Sequence, residues 1–437
     1  MRVKLHVILL FVVLFVASPG AVSGKVYLDI DSPTFHKFPI AVPEFQSLQP
    51  LGQTDALKLW FAEEISRCLD ITGYFQILDR KSFLEDPAKA GIKAVDIRFD
   101  DWTAIGAEYL LKGGVQVNGR EMTAEFRLYD TVRGELLLGK RYMGSPDDKK
   151  RMVIRYVNEI ILALTGETGN FDTRIAFVKH SGKSKDIYTI GFDGEDLTRV
   201  TSFNSLTLSP RWSFDGRFLA FTSYKDGNPD LYVKNMETGI TKKLTSYKGI
   251  NIPGSWSKDG ERLLASLSRG GNSDIYDITV KNSLLQRLTR DYSIDVSPAA
   301  SPDGKQVAFV SNRNGSPQIY TMEADGTNVA LLTHQGNYNT SPAWSPRGGK
   351  IAYESSVNGR FQIFVVDAAG GEPQQLTFDP WDHESPSWSP DGRYLAYSVS
   401  GYGRSRIEIM NADGKNARVL YQDKEGCQGA AWSPHKK

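Results

Sequence analysis

Short apolar runs bounded by clusters of Gly, Pro and Asp fill the chain after Ile175, and they recur. "WS" or its equivalent falls at Trp212, Trp256, Ala300, Trp344, Trp388 and Trp432, each 44 residues after the one before. A second series starts at Asp186, Asp230, Asp274, Gln318, Gln362 and Arg406 ("DIY", "DLY", "DIY", "QIY", "QIF", "RIE"). A third places "VT" or "LT" at Val200, Leu244, Leu288, Leu332 and Leu376, fading to "LY" at Leu420. Within the copy around Trp388 the pattern predicts four strands, "SPSWS", "RYLAYSVS", "SRIEIMN" and "ARVLYQ". The first two are joined by "SPDG", with Pro and Gly at the turn positions that suit each. A four-stranded repeat of this length is a propeller blade, whose two apolar faces are buried only by stacking between neighbours. Ala300 breaks the tryptophan series, so its blade is expected to pack differently or to hold a smaller core.

One blade is incomplete in sequence order. Ile175-Ala176-Phe177 aligns with Leu219-Ala220-Phe221 and Leu395-Ala396-Tyr397, yet no tryptophan motif precedes it, and Thr168 stands where one is due. The strand "AAWSP" at Ala430–Pro434 has no blade of its own. The expectation is a six-bladed ring whose carboxy-terminal strand completes the first blade. Such closure removes the open sheet edges that invite aggregation.

Residues 25–168 lack the repeat and read as a small α/β domain, with the propeller at 171–437. "KVYLDI" alternates as a strand and "FPIAVPEF" is a second apolar stretch. "DALKLWFAEEISRCLDITG" is an amphipathic helix closed by Gly73, and "YFQILD" a strand. "DDWTAIGAEYLLKG" runs from helix into strand. Further strands turn at Asn118-Gly119 and Arg133-Gly134, and "DDKKRMVIRYVNEIILALTG" is a last helix.

Composition narrows the function. With 52 basic and 51 acidic side chains the formal net charge is +1, so there is no global field to attract nucleic acid. "MRVK", the apolar "LHVILLFVVLFVA" and the small residues of "SPGAVSG" follow the plan of a secretory signal peptide, residues 1–24, with cleavage after Ser23 or Gly24. Cys68 falls on an apolar helical face and reads as a buried thiol, with a bridge to Cys427 as the alternative in an oxidising compartment. HExxH, CxxC and GxSxG are all missing from the sequence, so no metal, cofactor or hydrolase site is expected. Asp295, Asp382 and Glu384 near the channel mouth are the strongest catalytic candidates, as paired acids of a glycosidase. Solvated loop charges are the more economical reading, and no catalytic residue is assigned.

The order of leader, α/β domain and six "WSPDG…IAF…DIY…LT" blades resembles the TolB family of the Tol–Pal system. The specific segments are "LDIDSPTFHKFPIAVPEF" and "LTGETGNFDTRIAFV"; Ala300 and "SPRGG" near Arg347 are departures. The resemblance implies a monomeric, non-enzymatic periplasmic adaptor that supports outer-membrane integrity during division and is exploited by colicins. It implies that the peptidoglycan-associated lipoprotein Pal binds the propeller and TolA the segment just after the leader; other envelope proteins are possible partners. Carried onto this chain, the TolA segment is Lys25 to Pro33, with Lys25, Val26, Tyr27, Leu28, Asp29, Ile30 and Asp31 as contacts, its alternation suiting strand addition. Pal is placed at the channel mouth, where "NSLTLSP", "KGINIPG", "SIDVSPA", "NYNTSPA", "WDHESPS" and "EGCQGAA" enter the inner strands. The most exposed positions there are expected to be Asn251, Asp295, Val296, Asn339, His383 and Glu384. An exported propeller enzyme or a sugar-binding lectin is the rival reading.

Overall fold

The computed structural model describes residues 36–49, 54–86 and 91–436; the expected leader and the strand expected at Lys25–Ile30 lie outside the described residues. The amino-terminal unit is built on one sheet. Its strands are β1 (Phe38–Ala41), β2 (Gln46–Ser47), β3 (Phe75–Ile77), β4 (Tyr109–Asn118), β5 (Glu121–Asp130) and β6 (Glu135–Gly144). The order is β3-β1-β4-β5-β6, with β2 also on β4. β1 is parallel to both neighbours, and β4 to β6 form an antiparallel meander.

Three helices cover this sheet: α1 (Asp55–Ile71), α2 (Phe99–Ala104) and α3 (Lys149–Thr165). Gly166 ends α3 in the left-handed conformation (φ 78°), its N–H bonded to Leu162 O at 2.9 Å. Phe61, Ile65 and Leu69 of α1 and Val153, Tyr156 and Val157 of α3 bury against Leu111, Val115 and Phe126 of the sheet. Each such side chain contributes roughly 1.5–3 kcal/mol on burial. Trp102 of α2 packs with Leu110 and Tyr129 in a separate cluster.

The propeller consists of six four-stranded antiparallel sheets. Inner strands run Thr207–Trp212, Asn251–Trp256, Asp295–Ala300, Asn339–Trp344 and Asp382–Trp388 in blades 2 to 6. Blade 1 takes its inner strand from Cys427–Trp432, which pairs with Arg174–Ser181 so that Ala431 faces Ala176 and Trp432 faces Ile175. The ring is therefore closed by the carboxy-terminal strand, as the repeat count requires.

The repeated letters have local physical causes. In the "S-x-D-G" turn the serine hydroxyl donates to the aspartate two residues on (Ser213 to Asp215 at 2.7 Å, Ser301 to Asp303 at 2.6 Å, Ser389 to Asp391 at 2.5 Å). The same carboxylate accepts the backbone N–H of Arg217, Lys305 or Arg393, and the following glycine sits at φ near +70°. At the start of the third strand, buried Asp186, Asp230 and Asp274 pair with Arg199, Lys243 and Arg287 of the outer strand, each at 2.7 Å. Where the aspartate is replaced by Gln318, Gln362 or Arg406, the basic partner is absent too, its place taken by Leu331, Gln375 and Val419. Tryptophans join blades: the indole N–H of Trp212, Trp256 and Trp388 donates to Ala431 O, Arg211 O and Ala343 O of the preceding blade at 3.2, 3.1 and 2.9 Å.

The two units are packed together at one end of the ring. Tyr394 Oη donates to Thr72 O (2.8 Å), Asn170 Nδ2 to Asp391 Oδ2 (2.6 Å) and Arg67 Nη1 to Asp193 O (3.2 Å). Asp391 and Asp193 lie in first-to-second and third-to-outer turns, so this is the end opposite the mouth. Cys68 and Cys427 are both buried and free, and burial pushes the Cys427 thiol up to about 12.

Candidate partner-binding face

A meander that leaves its inner strand at the far end returns twice to the mouth, so two sets of connections surround that opening. They are the outer-to-inner crossings and the second-to-third turns. The crossings differ from the expected loops in one respect: their second halves already belong to the inner strands, which begin at Thr207, Asn251, Asp295, Asn339, Asp382 and Cys427. Asn251, Asp295, Asn339 and His383 are accordingly buried, not exposed, while Val296 and Glu384 are half-buried. The expectation of exposure fails at four of the six positions.

The reason is that these polar side chains organise the crossings from beneath. Asn251 Oδ1 accepts the Thr245 hydroxyl and the Tyr247 N–H, both at 3.0 Å, and its Nδ2 donates to Tyr247 O at 2.7 Å. Asn339 Nδ2 donates to Gln318 Oε1 (2.6 Å) and Gln335 O (2.7 Å). Asp295 accepts from Arg313 Nη2 on both oxygens at 3.2 Å and from the Ser293 hydroxyl at 3.3 Å, and His383 Nε2 lies 2.7 Å from Asp379 Oδ1. Asp382 binds Arg360 at 2.8 Å and the Phe361 N–H at 3.0 Å. Asp295 and Asp382 are thus held in separate ion pairs. Glu384 is raised above the usual carboxylate range by burial and then by Asp382, and its carboxylate has among the described residues only a long contact, with Ser400 Oγ at 3.5 Å. Among the described residues no group of three or more His, Cys, Asp or Glu side chains is placed to hold a metal ion.

One buried acid at this end escaped the sequence reading. Glu354, in the second strand of blade 5, receives the Ser385 N–H at 2.6 Å and the Ser341 hydroxyl at 3.0 Å. Burial pushes its carboxyl up to about 7. Ser341 and Ser385 adopt left-handed backbone (φ 53° and 55°), as do Ser209 and Ser297, each just before a proline at the irregular point of its inner strand. Gly429 takes the same role in blade 1 at φ 69°.

The exposed residues of the mouth are a different set, mostly polar, with several large apolar side chains among them. Tyr292, Ile294, Tyr338 and Phe378 stand out on the crossings and Tyr402 on a second-to-third turn; Tyr292 is fully exposed, Phe378 77% and Tyr402 72%. Tyr402 meets Trp381 edge-on (5.4 Å) beneath Arg360, and Tyr338 meets Phe361 (5.7 Å). The signal available in the sequence was aromatic residues inside turn-rich crossings, where no packing partner is due. Large aromatics on a rigid, hydrogen-bonded rim are the composition of a protein-binding surface. The segment expected to bind TolA, Lys25 to Pro33, lies outside the described residues.

The comparisons with known proteins bear on both units. The family model described as TolB beta propeller domain matches residues 162–436, and that described as TolB amino-terminal domain matches residues 26–137. The chain belongs to the TolB family. Tol-Pal system protein TolB of Syntrophus aciditrophicus (strain SB) is 50% identical over 205 residues, covering 46% of this chain and 45% of the relative. Its namesake from Desulfosudis oleivorans is 42% identical over 214 residues, 49% of each. The matches thus span about half the length of these curated relatives. The crystal structure of TolB from Acinetobacter baumannii superposes with a TM-score of 0.80 at 26% identity, over 91% of this chain and 97% of that one. Both units of the TolB architecture are therefore accounted for.

Proposed function

We propose that this TolB-family chain is a non-enzymatic adaptor of the periplasm that receives the lipoprotein Pal at the propeller mouth and TolA on Lys25 to Pro33. Residues 1–24 are the leader removed on export, and the α/β and propeller domains take 25–168 and 171–437. The observation that carries the reading is the rim of exposed aromatics: Tyr292, Tyr338 and Phe378 on crossings held from below by Asp295, Asn339 and His383, and Tyr402 on a second-to-third turn. A prearranged rim loses little conformational entropy on binding, and rigid aromatics are the usual anchors of a protein interface. Val296 and Glu384, half-exposed on the inner strands, are the members of the original six positioned to touch a segment that enters the mouth. The ion pairs that occupy Asp295 and Asp382 support a binding role over hydrolysis. No helix of the described residues is long and apolar enough to cross a membrane. Linking the two partners supports the outer membrane through division, and colicins exploit the same system for import.

The test uses two titrations on one variant. Deleting Lys25 to Pro33 removes TolA binding and leaves Pal binding and the melting temperature unchanged. Unchanged TolA affinity in the deletion variant refutes the assignment of that segment.

A further inference from the structure

Blades 3 and 4 meet differently from the other blades, at the end of the ring opposite the mouth. Elsewhere an inner-strand tryptophan fills the seam with the preceding blade, and in two seams a ring from that blade stacks on it: Phe218 on Trp256 at 6.0 Å and Tyr394 on Trp432 at 6.2 Å. In blade 4 the tryptophan position is Ala300, and the residue of blade 3 that corresponds to Phe218 and Tyr394 is Arg262. A cleft of about 420 Å³ occupies the seam, lined by Trp256, Arg262, Leu264, Asp277, Ala300 and Val307. That is within the range of small-molecule sites, about 300–1,000 Å³.

A second substitution coincides with the first. The third-strand position that is Thr189, Val233, Thr321, Val365 and Ile409 in the other blades is Asp277 in blade 3. Asp277 is nine-tenths buried; its Oδ2 accepts from Arg262 Nη1 at 2.8 Å, while its Oδ1 has no hydrogen-bond partner among the described residues. A buried carboxylate with one oxygen unsatisfied gains from a further donor at the cleft it lines. Apolar walls from Leu264, Ala300 and Val307, the planar Arg262 guanidinium and the Asp277 carboxylate define an occupant of the cleft.

We infer that the seam between blades 3 and 4 binds a small planar heteroaromatic of indole size carrying an N–H donor. Its ring takes the place the missing tryptophan leaves, against the Arg262 guanidinium. Its N–H donates to the Asp277 carboxylate, which lines the cleft. The site is independent of the mouth and of the partners proposed there.

Calorimetric titration of the full chain with indole and with indene, the isostere lacking the N–H, tests this. Wild type binds indole about tenfold more tightly than indene, the scale of one hydrogen bond to a charged acceptor. Asp277→Val, the residue two other blades carry, brings the two affinities together, and Ala300→Trp abolishes both. If Ala300→Trp does not fold, the Asp277→Val comparison decides alone. The inference is overturned by the lack of saturable indole binding to wild type, by an undiminished preference in Asp277→Val, or by wild-type indole affinity in folded Ala300→Trp.

Discussion

Truncating Trp432 to alanine loosens the closure of the propeller, and the structure gives the size of the effect. The indole is 7% exposed and packs against Phe192 (5.8 Å) and Tyr394 (6.2 Å); its Nε1 donates to Thr173 Oγ1 at 2.8 Å, 259 residues earlier in sequence. Its backbone N–H meets Ser387 Oγ of blade 6 at 2.9 Å, so one residue joins blades 1 and 6. Losing a buried aromatic of this kind costs about 3–5 kcal/mol, and the bond to Thr173 falls within that range. At roughly 2–4 °C per kcal/mol the midpoint drops by about 6–20 °C. Removing the whole strand from Gln428 onward leaves Arg174–Ser181 as an unpaired edge beside the channel, and that variant aggregates. Differential scanning calorimetry reads the first effect and light scattering the second. A Trp432→Ala midpoint within about 2 °C of wild type, scanned at one protein concentration, refutes closure by this strand.

Three further outcomes follow from particular residues. The folded-state pKa of Glu354, near 7, lies above its ordinary value of 4.5, so its contribution to stability is fully present below about pH 4.5 and is lost as pH rises through 7. The shift corresponds to about 3 kcal/mol, and Glu354→Gln removes that slope in urea melts between pH 4.5 and 7.5; an unchanged slope contradicts the assignment. Tyr394→Phe orphans Thr72 O at the contact between the two units and lowers unfolding free energy by roughly 1–2 kcal/mol in the same assay, whereas no change means the bond is not made in solution. Asn339→Ala frees Gln318 and the Gln335 carbonyl and costs roughly 1–3 kcal/mol, while Tyr292→Ala on the exposed rim stays within about 0.5 kcal/mol; equal losses would erase the distinction between rim and support.

The ring was legible because a fixed repeat fixes everything that repeats. The spacing of Trp212 to Trp432, the stray strand at Ala430 and the "S-x-D-G" turns each have one structural solution, and the observed sheets follow it. The helix at Asp55–Ile71 and the one closed by Gly166 were equally plain from periodicity and cap. The mouth was not. Polarity at Asn251, Asp295 and Asn339 suggested solvent, but at the start of an inner strand Asn251 and Asn339 bond the backbone of the crossing and Asp295 bonds Ser293 and Arg313, and burial goes with those bonds. Glu354 was hidden for a related reason, since its partners Ser341 and Ser385 lie on two other strands. Tyr292, Phe378 and Tyr402 carried a readable signal, aromatics with no strand to pack, which outer-strand repeats alone do not reveal. At Ala300 the sequence announced the gap but not the carboxylate of Asp277 beneath it, because the two positions meet only across the seam.

The most direct measurement is a calorimetric titration of Pal into wild type, into the triple variant Tyr292→Ala, Phe378→Ala, Tyr402→Ala, and into Ile240→Ala, an exposed apolar residue in a third-to-outer turn at the far end. The account predicts that the triple variant keeps its melting temperature and loses Pal affinity by about 30-fold or more, the scale of a truncated anchor of 2 kcal/mol. Ile240→Ala binds as wild type does. Full affinity in the triple variant, or loss confined to Ile240→Ala, contradicts the placement of the partner at the mouth.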